Sequence, residues 1–196
     1  MKKHKSGTYA KMPLNYEELR AFIDTIVNPE YRLMVALIVA GFLRVGEVTK
    51  MRKGDIMGKN IMVRKTKCRN DKNGRPIKPY REVPMPGWVR ELADEVLPLL
   101  SRSKDDLLFQ HLRGGGGLTV GGVNNRLDVI FSKFDHDQKV TCHSLRKTAA
   151  VRLYENSGND LRMVQIAADH ASIATSGIYV LKGRADFEEK YKAAFA

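Results

Sequence analysis

Between Leu33 and Leu43 the sequence reads LMVALIVAGFL, its longest uninterrupted apolar run. A helix that is apolar nearly all round is buried rather than laid on a surface, and the pattern predicts such a helix from Tyr31 to Lys50. The run is too short to cross a bilayer, which takes about 20 residues. No charged-then-apolar segment opens the chain, so the expectation is a cytoplasmic protein with no membrane contact. Hydrophobic residues at 43% and charged residues at 29% exclude a mainly disordered chain.

Around this buried helix the periodicity predicts further helices. Asn15 caps one that carries Leu19, Phe22, Ile23 and Ile26 on one face, with Glu18 three residues after the cap. Trp88 to Leu100, Val120 to Phe134, and segments near 143–156, 160–168, 172–181 and 184–195 read as helical too. Between Lys59 and Pro86 the pattern changes. Ile61-Met62-Val63 and Arg81-Glu82-Val83 flank a polar, Gly- and Pro-containing connection, which predicts a long-armed hairpin. The fold class expected is mainly α with a small antiparallel β-sheet (α+β). Residues 1–12 read as a flexible basic arm and 13–196 as one domain without internal repeat or linker.

Charge narrows the function. Lys+Arg number 34 and Asp+Glu 22, a net charge of +12, which attracts polyanions, nucleic acid above all. The two cysteines, Cys68 and Cys142, are too few for a disulfide framework and lack metal-ligand spacing. The glycine run from Arg113 to Gly117 lacks the Lys-Ser/Thr of a P-loop, so nucleotide binding is not expected.

Three short constellations carry candidate chemistry. In GFLRVGE, Arg44 follows the apolar run and needs a partner, which Glu47 three residues on can supply as a structural ion pair. In CHSLRK, His143 and Arg146 stand three apart on a helix and share a face. Together they suit a phosphodiester, with the guanidinium fork on two oxygens and the imidazole moving a proton; a solvated surface pair is the alternative. In the third, Ala168-Asp169-His170 precedes Tyr179 by nine residues. A cap or core histidine and a packing tyrosine are the plain readings there.

The order of the three is more specific than any one of them. The segments AGFLRVGEVTKMRKGDI, CHSLRKTAA and DLRMVQIAADHASIATSGIYV occur in the sequence of boxes that marks the tyrosine recombinase (phage integrase) family, and residues 13–182 resemble its catalytic domain. The resemblance implies cleavage of duplex DNA by attack of Tyr179 on the scissile phosphate, giving a 3′-phosphotyrosine and a free 5′-hydroxyl. The rejoining step reverses this, so neither ATP nor a metal or other cofactor is implied. A phenol with a pKa near 10 is a weak nucleophile. By the same resemblance, Arg44 and Arg146 clamp the non-bridging oxygens, His143 assists proton movement at the phosphate and His170 hydrogen-bonds it. The acid for the leaving oxygen maps to a hairpin lysine. Among Lys65, Lys67, Lys72 and Lys78 it falls on Lys67, which follows a strand and a threonine, with Lys65 next. Glu47 maps to a bracing role.

Some positions depart from the family pattern. Lys147 replaces a second histidine, Ala168-Asp169 replaces the usual Leu-Gly, one extra residue falls near Ser157-Gly158, and the hairpin is long. The chain also begins almost at the catalytic region, as the fimbrial phase-variation invertases do, so no N-terminal core-binding domain is expected. The implied partners are double-stranded DNA, further copies of the chain as a dimer or tetramer on it, and accessory DNA-bending proteins, with a nucleoid-associated location. Two other readings stay open: a DNA-binding remnant without recombination, and a type IB topoisomerase-like activity.

Overall fold

Asparagines at two helix starts set the first layer. Asn15 accepts the amides of Glu17 and Glu18 at 2.9 and 3.1 Å and opens α1 (Tyr16–Thr25). Asn28 accepts Tyr31 at 3.0 Å and opens α2 (Pro29–Ala40), whose proline occupies a first-turn position where no amide hydrogen is needed. The computed structural model describes residues 14–66, 71–75, 77, 79–111, 116–134 and 139–180, and of 179 and 180 the backbone. The expected basic arm, Cys68, Lys67, Lys78, most of the glycine run and the helix expected at 184–195 lie outside the described residues.

The chain divides into two compact units, one up to Ala149 and the other from Ala150. In the first, every residue from Leu33 to Val39 is buried, so α2 is the central helix, with α1 and α4 (Gly87–Val96) against it. Between them lie α3 (Val45–Val48), a 3₁₀ turn at Lys53–Ile56, and the strands β1 (Asn60–Arg64) and β2 (Tyr80–Pro84). The strands pair antiparallel, with Ile61 opposite Val83 and Val63 opposite Arg81. A further 3₁₀ turn (Leu97–Leu99) follows α4, and α5 (Val120–Phe131) packs beside α3. Phe22 of α1 meets Phe131 and Phe134 with ring centroids 5.3 and 4.8 Å away.

The expected fold class holds, and the hairpin falls where the alternation places it. One helix does not. The helix expected over Tyr31–Lys50 stops at Ala40, turns through Gly41 and Phe42, and restarts as the short α3. Phe42 adopts a left-handed φ of 50°, and a Cβ on Gly41 would stand 2.8 Å from the Leu37 carbonyl oxygen, so this turn requires glycine. The apolar run continues to Leu43, three residues past the end of α2, so hydropathy alone does not place the break. Among the described residues no helix is long and apolar enough to cross a membrane.

The chain passes to the second unit within α6 (Cys142–Asn156) and continues as α7 (Leu161–Ala168) and α8 (Ile173–Val180). Gly158 and Asn159, both at positive φ, end α6. Asp160 then caps α7, accepting the amides of Arg162 and Met163 at 2.7 and 3.2 Å. Replacing Asp160 with Ala is expected to lower stability by about 1 kcal/mol in chemical denaturation, and Asp160→Asn to leave it nearly unchanged.

Candidate active site

The break in the buried helix builds the site of the first unit. After Phe42 the backbone extends through Arg44, whose ψ is 152°, and Arg44 becomes the N-cap residue of α3. Glu47, at the third helical position, reaches back: its Oε2 accepts the Arg44 amide at 2.9 Å and its Oε1 accepts Arg44 Nη1 at 2.9 Å. The carboxylate is fully buried, whereas the Arg44 side chain is 40% exposed. The ion pair expected from the sequence therefore forms, and it holds a guanidinium that still faces solvent.

A second arginine meets the same carboxylate. Arg81, on the inward face of β2, donates from Nη2 to Glu47 Oε2 at 3.2 Å, to the Gly41 carbonyl at 2.9 Å and to the Phe42 carbonyl at 3.0 Å. Its side chain is only 7% exposed, and through these bonds it braces the turn. Sequence reasoning missed it, although a signal was present. Tyr80, Arg81, Glu82 and Val83 alternate out, in, out, in, so Arg81 shares its face with the core residue Val83.

Arg146 brings α6 to the same turn, with Nη1 donating to the Phe42 carbonyl. It is 2% exposed, so the alternative of a solvated surface pair does not hold for it; His143, one turn earlier, is exposed. The start of α6 is set by Thr141 and Ser144: the Thr141 amide donates to Ser144 Oγ at 2.7 Å, and the Ser144 amide to Thr141 Oγ1 at 3.3 Å. Arg44, Arg81 and Arg146 thus gather on one turn with Glu47 as the carboxylate bonded to two of them. Among the described bonds, three guanidinium groups meet one carboxylate at this turn, an electrostatic setting for an anion.

Close by, Asp55 links the 3₁₀ turn to β1. Its oxygens accept Arg64 Nε and Nη2, both at 2.8 Å, and the Arg52 amide at 2.8 Å. The hydrogen bonds that Arg64 donates to Asp55 raise the guanidinium's pKa against the opposing effect of burial. Lys65 follows β1, half-buried, its amide bonded to the Pro79 carbonyl at 2.8 Å.

In the second unit, Asp169 takes φ 51° and ψ 51° at the end of α7, the left-handed position a glycine would fill more easily. His170 follows, 8% exposed, with Nδ1 2.9 Å from Ser176 Oγ in α8. Tyr179 lies on α8. Arg44, Glu47 and Arg146 are thus brought together in the first unit, and His170 is held in the second. Among the described residues no group of three His, Cys, Asp or Glu is arranged to hold a metal ion.

The crystal structure of XerA recombinase superposes with a TM-score of 0.75 at 24% identity, covering 96% of this chain and 67% of that one. XerH site-specific recombinase bound to palindromic difH substrate, in a post-cleavage complex, gives 0.71 at 27% identity, with 99% of this chain and 56% of that chain covered. In sequence, the tyrosine recombinase XerH of Campylobacter jejuni is 32% identical over 183 residues, 86% of this chain and 48% of the relative. The pattern of the phage integrase family matches residues 13–184. The chain belongs to the phage integrase family, and it spans about half the length of the curated relatives it matches.

Two outcomes follow from this geometry. Arg81→Met leaves the buried Glu47 charge with one partner fewer and is expected to cost about 3–5 kcal/mol in urea denaturation, with Arg81→Lys costing less. Cys142 is the other case: burial pushes its thiol up to about 12. In a Cys68→Ser background, thiol reagents at pH 8 are expected to label the protein only after unfolding.

Proposed function

We propose that this chain is the catalytic part of a site-specific DNA recombinase of the integrase or invertase type, which cleaves and rejoins duplex DNA through a 3′-phosphotyrosine at Tyr179. The observation that carries the reading is the turn at Gly41–Phe42. There an exposed Arg44 is braced by a buried carboxylate, and Arg81 and Arg146 bind the same turn. Family membership and the net charge of +12 point the same way.

In this reading the Tyr179 oxygen attacks phosphorus, the bond to the 5′-oxygen breaks, and the phosphate stays on the protein as a phosphodiester. Charge builds on the non-bridging oxygens in the transition state. Arg44 and Arg146 stabilise it with charge-assisted hydrogen bonds, an effect worth about 100- to 1,000-fold in rate for each such donor. His143 relays the phenol proton, His170 donates a hydrogen bond to the phosphate, and Lys67 protonates the departing 5′-oxygen, with Lys65 the next candidate. Glu47 keeps Arg44 aimed. No metal, ATP or other cofactor enters these steps. The partners are double-stranded DNA, further copies of the chain as a dimer or tetramer, and accessory DNA-bending proteins, within the cytoplasm and its nucleoid.

The test is a pool of duplex fragments nicked close to candidate cleavage positions, so that religation is blocked, incubated with chelator and run on denaturing gels. A covalent adduct is expected for the wild type, none for Tyr179→Phe, and a rate about 100- to 1,000-fold lower for Arg44→Ala. Binding should weaken steeply with salt, because each phosphate contact releases counterions. Salt-dependent binding without adduct on any fragment would overturn the recombinase reading in favour of a DNA-binding remnant.

A further inference from the structure

A close contact joins the end of β1 to the helix that Arg44 opens. Gly46 stands between Arg44 and Glu47 in α3, and a Cβ placed on it would lie 3.0 Å from Thr66 Cγ2, 3.8 Å from Thr66 Cβ and 4.0 Å from Thr66 Oγ1. Two carbons prefer a separation of about 3.5–4.0 Å, so the Thr66 methyl fills space that only glycine leaves open. No positive φ calls for glycine at this position, and a helix favours alanine over glycine. The close approach of Thr66 is therefore what requires glycine here.

The residues that lead to Thr66 are fixed one after another. Arg64 donates from Nε and Nη2 to Asp55, both at 2.8 Å, and from Nη1 to the Tyr80 hydroxyl at 2.9 Å. The Lys65 amide donates to the Pro79 carbonyl at 2.8 Å. Thr66 then rests on Gly46. Lys65 and Lys67, the two candidates for the acid, are the sequence neighbours of Thr66. We infer that Gly46 is a positioning residue: by seating Thr66 it fixes where the lysine-bearing end of β1 lies relative to the guanidinium that Glu47 aims. The lysine's part rests on the recombinase reading above; the seat does not. A methyl at position 46 pushes Thr66 away by a few tenths of an ångström, and a proton donor displaced from a departing oxygen loses rate steeply.

The experiment moves a methyl group across the contact. Serine lacks the Cγ2 of Thr66, so Gly46→Ala combined with Thr66→Ser returns the remaining atoms to ordinary separations. In urea denaturation of the full chain, the double variant is expected to unfold at a higher urea concentration than the sum of the two single effects gives; additive effects overturn the contact. The second arm measures adduct formation on the nicked duplex, made once with oxygen and once with sulfur at the bridging 5′ position of the scissile phosphate. A thiol ionises near a pKa of about 8.5, so the sulfur leaves without a proton, whereas the 5′-oxygen needs one. Gly46→Ala is expected to be about tenfold slower than the wild type on the oxygen substrate and equal to it on the sulfur substrate. Adding Thr66→Ser is expected to restore the oxygen rate. Equal slowing on both substrates would trace the effect to the Arg44 clamp or to the fold and overturns the inference. An undiminished rate for Gly46→Ala, or a double variant that stays slow, overturns it as well. If the wild type forms no adduct, the recombinase reading fails and the lysine's part with it, while the urea arm still decides the seat.

Discussion

A carboxylate taken fully out of water must be paired, and Glu47 is such a group. Its two oxygens are shared among the Arg44 amide, the Arg44 guanidinium and the Arg81 guanidinium. Each bond constrains a different level of the structure. The amide bond starts α3, the Arg44 pair aims an exposed guanidinium, and the Arg81 pair ties β2 to the turn after α2. Removing the carboxylate would loosen a helix start, a strand and a side chain at once. The hairpin and the helices are therefore coupled through one buried ion cluster as well as through apolar packing.

Burial sets one of the three arginines apart from the other two. Arg81 is nearly inaccessible, and its Nη2 is shared among two carbonyls and the carboxylate. Arg44 shares the same carboxylate but keeps much of its surface in solvent. Arg146 is as deeply buried as Arg81 and is bonded to the Phe42 carbonyl from the first turns of α6. The Phe42 carbonyl is available to two arginines because the residue's left-handed φ turns the backbone there out of helical pairing. Backbone strain at one non-glycine position thus goes with the acceptor that gathers two of the positive side chains.

Much of this was legible beforehand. The all-round apolar stretch announced a central helix, the alternation around Ile61 and Val83 announced the hairpin, and Asn15 announced the start of α1. The Arg44–Glu47 pair could be read from a three-residue spacing because both ends lie within one helical turn. The end of α2 could not, since the apolar run continues through Gly41, Phe42 and Leu43 beyond it. Arg81 and Ser176 were passed over for a related reason: an arginine in a short strand and a serine in a helix are ordinary residues until their burial is known. Lys67, the acid implied by family resemblance, falls outside the described residues.

By itself the sequence determined the element types, the order of the chemical boxes and the excess of positive charge, because these depend on periodicity, spacing and composition, all local or additive. Only the tertiary structure decided which polar groups lose their water. That choice makes Arg81 a brace while Arg44 stays presented, and it turns Ser176 toward His170. Desolvation depends on what packs around a side chain from distant parts of the chain, and no local pattern encodes it.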